Sequence, residues 1–235
     1  MSFKFKQFTV RQDKCAMKIG TDGVLLGAWA TLKHVPESIL DIGTGTGVIA
    51  LQMAQRCDAL TIDALEIEGD AYEQAVDNFE NSHWSDRLFC YHCSLQEFVN
   101  EVDDYYDLII ANPPFYTDDF ETDNEPRNKA RFTTSLSFEE LLFSVSKLLS
   151  KQGIFSVILP YKEETDFIVL ANKHQLFVTR ICQVKGTPTS KIKRSLIEFS
   201  FQKDKPIKEN LIIELKRHQY TKDYQNLVKE FYLKM

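Results

Sequence analysis

The sequence predicts one α/β domain, a mostly parallel sheet with helices on both faces. Three observations carry that expectation. From residue 38 onward, short apolar runs alternate with stretches of helical periodicity. The first apolar run, SILDIG, passes into glycines at 43, 45 and 47 before an amphipathic stretch begins, as a tight strand-to-helix turn at a ligand requires. Finally, 235 residues at 43% hydrophobic and 26% charged provide apolar mass for one core with an appendage rather than two full domains.

The elements follow in order. Residues 38–43 form a first strand, 47–57 a helix, 59–68 a strand and 70–82 a helix. RLFCYHCS (87–94) is a third strand, followed by a short helix from SLQEFVNEV, and YYDLIIAN (105–112) is a buried fourth. SFEELLFSVSKLLSKQG (137–153) reads as a helix with Ser137 as its N-cap, Glu140 closing a capping box and Gly153 ending it. IFSVILP (154–160) is a strand, TDFIVLANKHQ a helix, and LFVTRICQV and SLIEFSFQK two final strands. Three segments break the rhythm: residues 1–36, the polar connection 116–136, and the basic loop 185–195. Ligands of open α/β sheets bind outside the carboxyl ends of the strands.

Composition excludes some functions. No run approaches the roughly 18 apolar residues of a membrane span, and the basic, aromatic start lacks the core of a signal peptide. Five scattered cysteines (15, 57, 90, 93, 182) fit free thiols in a reducing cytoplasm. CYHC has the spacing of a metal pair, but on a strand Cys90 and Cys93 point to opposite faces, so no metal is expected. Net charge is −6, yet residues 1–20 carry five Lys/Arg against one acid, and 185–235 carry twelve against six. Basic ends around an acidic middle can steer a polyanion, although each charge alone reads as solvated surface.

The glycines are not spaced for a dinucleotide. G-x-G-x-x-G would need glycine at 48, where Val48 stands. The pattern is instead D-x-G-x-G-x-G with Asp41 two residues before Gly43, which suits a sulfonium cation with an amino-acid tail. Glu66, about 20 residues on at the end of the second strand, stands where a ribose-diol acceptor is expected, with Ile67 after it. These residues resemble motifs I and II of the class I S-adenosylmethionine-dependent methyltransferases. The resemblance implies a Rossmann-like, seven-stranded, mostly parallel sheet and S-adenosylmethionine as cofactor.

ANPPFY (111–116) ends the fourth strand with an amide, two prolines and two aromatic rings. Transfer to an exocyclic amine needs acceptors that hold the NH₂. The Asn112 side-chain oxygen and the Pro113 carbonyl can serve, with Pro113 and Pro114 fixing the backbone. Phe115 can stack on the base, at about 1–3 kcal/mol per base. The stretch resembles the N-P-P-[FY] motif of enzymes that methylate adenine N6, guanine N2 or a glutamine amide. Phe115 stands where adenine enzymes often have Tyr.

KQFTVRQDKCAMKIGTDGVLLGAWA (6–30), PRNKARFTTSLSFEELL (126–142) and FYLKM (231–235) extend the likeness over nearly the whole chain. They resemble bacterial methyltransferases of N6 of adenine 37 in tRNA(Val). That resemblance implies that residues 1–36 cap the cofactor site, with Thr21 and Asp22 over it, although GTDG also reads as a helix N-cap. Residues 37–205 would be the catalytic core, and 206–235 a segment ending in a helix packed on it. Ser94 stands where the family often has an acid contacting the cofactor adenine; the Cys93 or Leu95 backbone can substitute. The implied partner is the anticodon loop of tRNA, where a base can be splayed out and stacked. Its contacts would be Lys4, Lys6, Arg11 and Lys14; Tyr116, Arg127, Lys129 and Arg131; and Lys191, Lys193 and Arg194. No obligate protein partner is evident. A guanine-N2 rRNA methyltransferase and a non-catalytic RNA-binding protein are the alternatives.

Overall fold

The glycine-rich turn follows an interior strand, third from one edge, of the sheet. A computed structural model describes residues 2–113 and 136–235. The first βα unit is β3 (Ser38–Ile42) followed by α1's neighbour α2 (Val48–Arg56); α1 itself (Thr21–Trp29) precedes β3. Then come β4 (Thr61–Glu66), α3 (Gly69–Glu80), β5 (Leu88–His92), α4 (Leu95–Glu101) and β6 (Tyr106–Ala111). Beyond residue 135 follow α5 (Phe138–Leu148), β7 (Leu149–Pro160), α6 (Glu164–Lys173), β8 (Phe177–Lys185), β9 (Ile192–Ser200) and β10 (Ile207–Ile212). The sheet order is β10-β8-β9-β7-β6-β3-β4-β5. β3 pairs in parallel with both β4 and β6, while β9 runs antiparallel to β7 and β8.

The central strands are near-continuous apolar runs because both sheet faces are covered. Successive residues of β3 point to opposite cores. Ile39 joins a cluster with Val24, Leu51, Phe79 and Phe231 on the face of α1, α2 and α3. Leu40 joins one with Phe98, Leu142 and Phe167 on the face of α4, α5 and α6. Cys90 packs against the first cluster and Cys93 against the second, the opposite-face placement expected of a strand.

Two expectations change. Among the described residues the sheet has eight strands rather than seven, because β10 adds in parallel to β8. Its burial is slight, but Glu209 on β10 accepts from Trp29 Nε1 at 3.0 Å and Arg180 Nε at 2.9 Å, fixing a polar strand to the edge. The helix from 137 ends at Leu148, not Gly153. Its capping box is present as expected, with the Ser137 hydroxyl and Glu140 carboxylate satisfying each other's backbone N–H groups. Gly153 lies inside β7 at a register shift, where an added Cβ would meet the Tyr106 carbonyl at 2.9 Å. That close backbone approach, not a helix end, is what requires glycine there.

The N-terminal segment forms a hairpin, β1 (Ser2–Lys4) with β2 (Thr9–Arg11), laid against the chain's other end. Phe5 bridges to Tyr232, and the Lys6 N–H donates to the Phe231 carbonyl at 2.9 Å. Residues 214–216 and 219–220 pair as β11 and β12, and α7 (Lys222–Val228) packs on the first core.

Candidate active site

At the carboxyl end of β3 the backbone turns through Gly43, Gly45 and Gly47, all at positive φ (69°, 56° and 78°). Gly47 is the N-cap of α2, and a Cβ on it would lie 2.5 Å from Cε1 of the buried Phe79, so its role is packing as well as conformation. A Cβ on Gly43 or Gly45 would meet nothing within 4 Å. These two positions face open space at the head of the sheet.

The turn is tied to the end of β4. Thr44 N–H donates to the Leu65 carbonyl at 2.9 Å, and Gly45 N–H to Glu66 Oε2 at 2.8 Å. Glu66 Oε1 accepts from the Glu68 N–H at 2.9 Å. Both carboxylate oxygens are thereby oriented, and each retains a lone pair for a further donor. Ile67 beside it is exposed, and its carbonyl accepts from His92, whose ring stacks on Tyr72 at 5.0 Å.

Asp41 is completely buried beneath the turn. Its Oδ2 accepts from the Thr44 hydroxyl at 2.6 Å, and the carboxylate also faces the Ala50 backbone N–H in the first turn of α2. Burial raises its pKa from 3.8 to about 7 against the pull of the Thr44 hydroxyl and the Ala50 backbone N–H.

Asn112 follows β6 directly, and its side chain is half-buried. It reaches the first turn of α1, where a Cβ on Gly23 would lie 3.8 Å from Asn112 Nδ2 and 3.6 Å from Val48 Cγ1 at the start of α2. The residue after β6, the start of α2 and the first turn of α1 therefore converge on one place. Thr21 begins α1 and is exposed, but it does not cap it: the N-cap is Gly20, with no side-chain hydrogen bond. Asp22 is half-buried beside it and accepts from Arg194 Nε at 2.7 Å.

Other expected residues have different surroundings. Ser94 is the N-cap of α4, its hydroxyl donating to Glu97 Oε2 at 2.7 Å and accepting from Glu97 N–H. Lys14 pairs with Glu73 at 2.7 Å, and Lys6 Nζ donates to the Lys229 carbonyl. Lys4, Arg11, Lys191 and Lys193 are exposed. Pro113 is buried. Pro114, Phe115, Tyr116, Arg127, Lys129 and Arg131 lie outside the described residues, as does nearly all of the 116–136 connection.

Sequence reasoning missed the residues that hold the N-terminal segment against α3 and the glycine turn. Asn78 Oδ1 accepts from Arg11 N–H, and its Nδ2 donates to the carbonyls of Arg11 and Thr46, the last in the glycine turn. Gln74 Oε1 accepts from the N–H groups of Asp13 and Lys14 at 3.2 Å. The available signal was two amides four residues apart on the same helix stripe as Ala71, Ala75 and Phe79.

A family model described as "Methyltransferase small domain" matches residues 20–131. A tRNA1(Val) (adenine(37)-N6)-methyltransferase of Flavobacterium psychrophilum is 60% identical over 233 residues, covering 99% of this chain and all of that one. The enzyme of the same name in Christiangramia forsetii is 57% identical, covering 99% and 98%. The chain belongs to the tRNA1(Val) (adenine(37)-N6)-methyltransferase family. Among solved structures, a predicted O-methyltransferase of Agrobacterium tumefaciens aligns at TM-score 0.68 with 17% identity, over 89% of this chain and 96% of that one. A putative RNA methyltransferase of Pyrococcus horikoshii aligns at TM-score 0.55 with 17% identity, over 75% and 80%. These two show the shared fold. The methyl donor of the tRNA1(Val) (adenine(37)-N6)-methyltransferase family is S-adenosylmethionine. The residues here fit it: open space over Gly43 and Gly45 and an oriented carboxylate at Glu66. Among the described residues no helix is long and apolar enough to cross a membrane, and no group of three His, Cys, Asp or Glu side chains is placed to hold a metal.

Proposed function

We propose that the protein methylates N6 of adenine 37 in the anticodon loop of tRNA(Val), in the cytoplasm, with Asn112 gripping the amine. The observation that carries this reading is the Asn112 amide beside Gly23 and Val48, at the meeting of the cap helix and the glycine-loop helix. Bound S-adenosylmethionine supplies an electrophilic methyl on a positively charged sulfur. Gly43 and Gly45 leave room for its approach, Glu66 accepts its ribose hydroxyls, and Asp41 faces its cationic portion. Thr21 and Asp22 close the pocket from the N-terminal side.

The Asn112 carboxamide oxygen and the Pro113 carbonyl each accept one hydrogen of the exocyclic amine. Neither is a base at neutral pH, so they orient the nitrogen and favour a pyramidal geometry in which its lone pair is less delocalised into the ring; the methylated, cationic nitrogen then releases its proton to solvent. Pro113 and Pro114 fix the backbone that carries these acceptors. Phe115 stacks on the extruded base, and the exposed Lys4, Arg11, Lys191 and Lys193 hold phosphates.

The test is transfer of a labelled methyl group from S-adenosylmethionine to unmodified tRNA(Val), followed by nucleoside mass spectrometry. N6-methyladenosine at position 37 is expected. Label in 2-methylguanosine, or none in RNA, would refute the reading.

A further inference from the structure

From sequence, Arg194 grouped with Lys191 and Lys193 as a contact for RNA phosphate. The structure separates it from them. Lys191 and Lys193 are exposed, whereas the Arg194 Nε donates to Asp22 Oδ2 at 2.7 Å, with side chains 34% and 29% exposed. Its Nη1 folds back onto the Lys193 carbonyl at 3.0 Å. Arg194 also stands opposite Pro160 in the β7–β9 ladder, so its backbone is fixed by the sheet.

The partner of this anchored cation is an otherwise weakly held turn. Asp22 is the second residue of α1, whose N-cap Gly20 offers no side-chain bond. The first helical hydrogen bond, Val24 N–H to the Gly20 carbonyl, is long at 3.5 Å. The next residue, Gly23, is the one packed beside Asn112 Nδ2 and Val48. The turn thus has the sheet-anchored guanidinium on one side and the site's amide on the other. A partly exposed ion pair adds only about 0–1 kcal/mol to overall stability. Its consequence is therefore local, in where the turn sits.

We propose that Arg194 is a positioning residue: through Asp22 it holds the first turn of α1 against Asn112 and α2, keeping the cofactor pocket closed on that side. This rests on the reading of that pocket as the S-adenosylmethionine site.

The test is calorimetric binding of S-adenosylmethionine and S-adenosylhomocysteine, which lacks the positive sulfur. The proteins are wild type, Arg194→Ala, Arg194→Lys, Asp22→Asn and the Asp22→Asn/Arg194→Ala pair. Arg194→Ala is expected to weaken both ligands alike, by about three- to fivefold, with Arg194→Lys within about twofold of wild type. On the Asp22→Asn background, Arg194→Ala should add less than about twofold. The melting temperature of Arg194→Ala should stay within about 4 °C of wild type, and the salt slope of tRNA binding should not change. Undiminished binding of both ligands by Arg194→Ala would overturn the proposal. So would a salt slope reduced by about one with cofactor affinity intact, which would make Arg194 an RNA contact. A large fall in melting temperature shared by Arg194→Ala and Arg194→Lys would make it a structural residue and overturn the proposal too. Wild type that binds neither ligand would remove the pocket reading and this proposal together.

Discussion

Replacing Gly45 and Gly47 singly by alanine separates a glycine that leaves room for a ligand from one that leaves room for the protein. Both have positive φ, 56° and 78°, and an L-residue there costs about 1–2 kcal/mol. The surroundings then diverge. The new methyl at 45 enters open space, while the methyl at 47 would lie 2.5 Å from Cε1 of Phe79, itself only 2% exposed. Relieving that overlap costs about 1–3 kcal/mol more. Gly45→Ala should therefore lose about 1–2 kcal/mol and Gly47→Ala about 2–5 kcal/mol. At about 2–4 °C per kcal/mol for a chain of this size, the melting temperatures fall by about 2–8 °C and 4–20 °C. Cofactor affinity should show the reverse order, with Gly45→Ala losing at least about thirtyfold, or 2 kcal/mol. Urea titration and calorimetry on the same preparations read both quantities. If Gly45→Ala is the less stable variant, or binds S-adenosylmethionine like wild type, the assignment of the open space to the cofactor is wrong.

Four further outcomes follow from the geometry. Asn112→Ala should bind S-adenosylmethionine within about threefold of wild type while single-turnover transfer falls by about a hundredfold or more, as for loss of a group that orients the reacting atom; parallel losses would make Asn112 structural. Asp41 keeps its proton in the fold to about pH 7, whereas the unfolded chain releases it near 3.8, so this group's contribution to stability falls as pH rises between those values and then levels. A bound cation favours the carboxylate, so S-adenosylmethionine affinity should fall by up to about tenfold per pH unit below 7, and Asp41→Asn should flatten the profile; a flat wild-type profile from pH 6 to 7.5 would refute this. Ser94→Ala removes one partner of a capping box and should cost about 1 kcal/mol in urea denaturation; an accompanying tenfold loss of cofactor affinity would restore Ser94 as an adenine contact. Changing Lys191 and Lys193 together to alanine should reduce the salt slope of tRNA binding by about two, and an unchanged slope would remove both from the RNA surface.

The parts of the fold that were legible are those where chemistry is local. Asp41, the three glycines and Glu66 lie within 26 residues and announce a strand, a turn and the next strand end without any tertiary knowledge. The capping box at Ser137 is equally local. What sequence could not supply is set by distant backbone. Gly153 looks like a helix end until the Tyr106 carbonyl is found 2.9 Å from its would-be Cβ. β10 carries charged residues on a sheet edge, so it lacks the apolar run by which the other strands were recognised. At the site, Arg194 has the composition of an RNA contact, and only the fold brings Asp22, 172 residues away in sequence, to its Nε. Asn78 and Gln74 were passed over because buried amides look like surface residues until the N-terminal segment that they satisfy is in place.

In the proposed complex, Asn112 and Pro113 hold the adenine amine above the glycine turn. The most direct measurement is a crystal structure with S-adenosylhomocysteine and the tRNA(Val) anticodon stem-loop. It should show N6 of adenine 37 about 2.7–3.2 Å from both Asn112 Oδ1 and the Pro113 carbonyl oxygen, with the sulfur over Gly43 and Gly45. An adenine seated elsewhere, or an Asn112 side chain turned from the base into the protein interior, would contradict it.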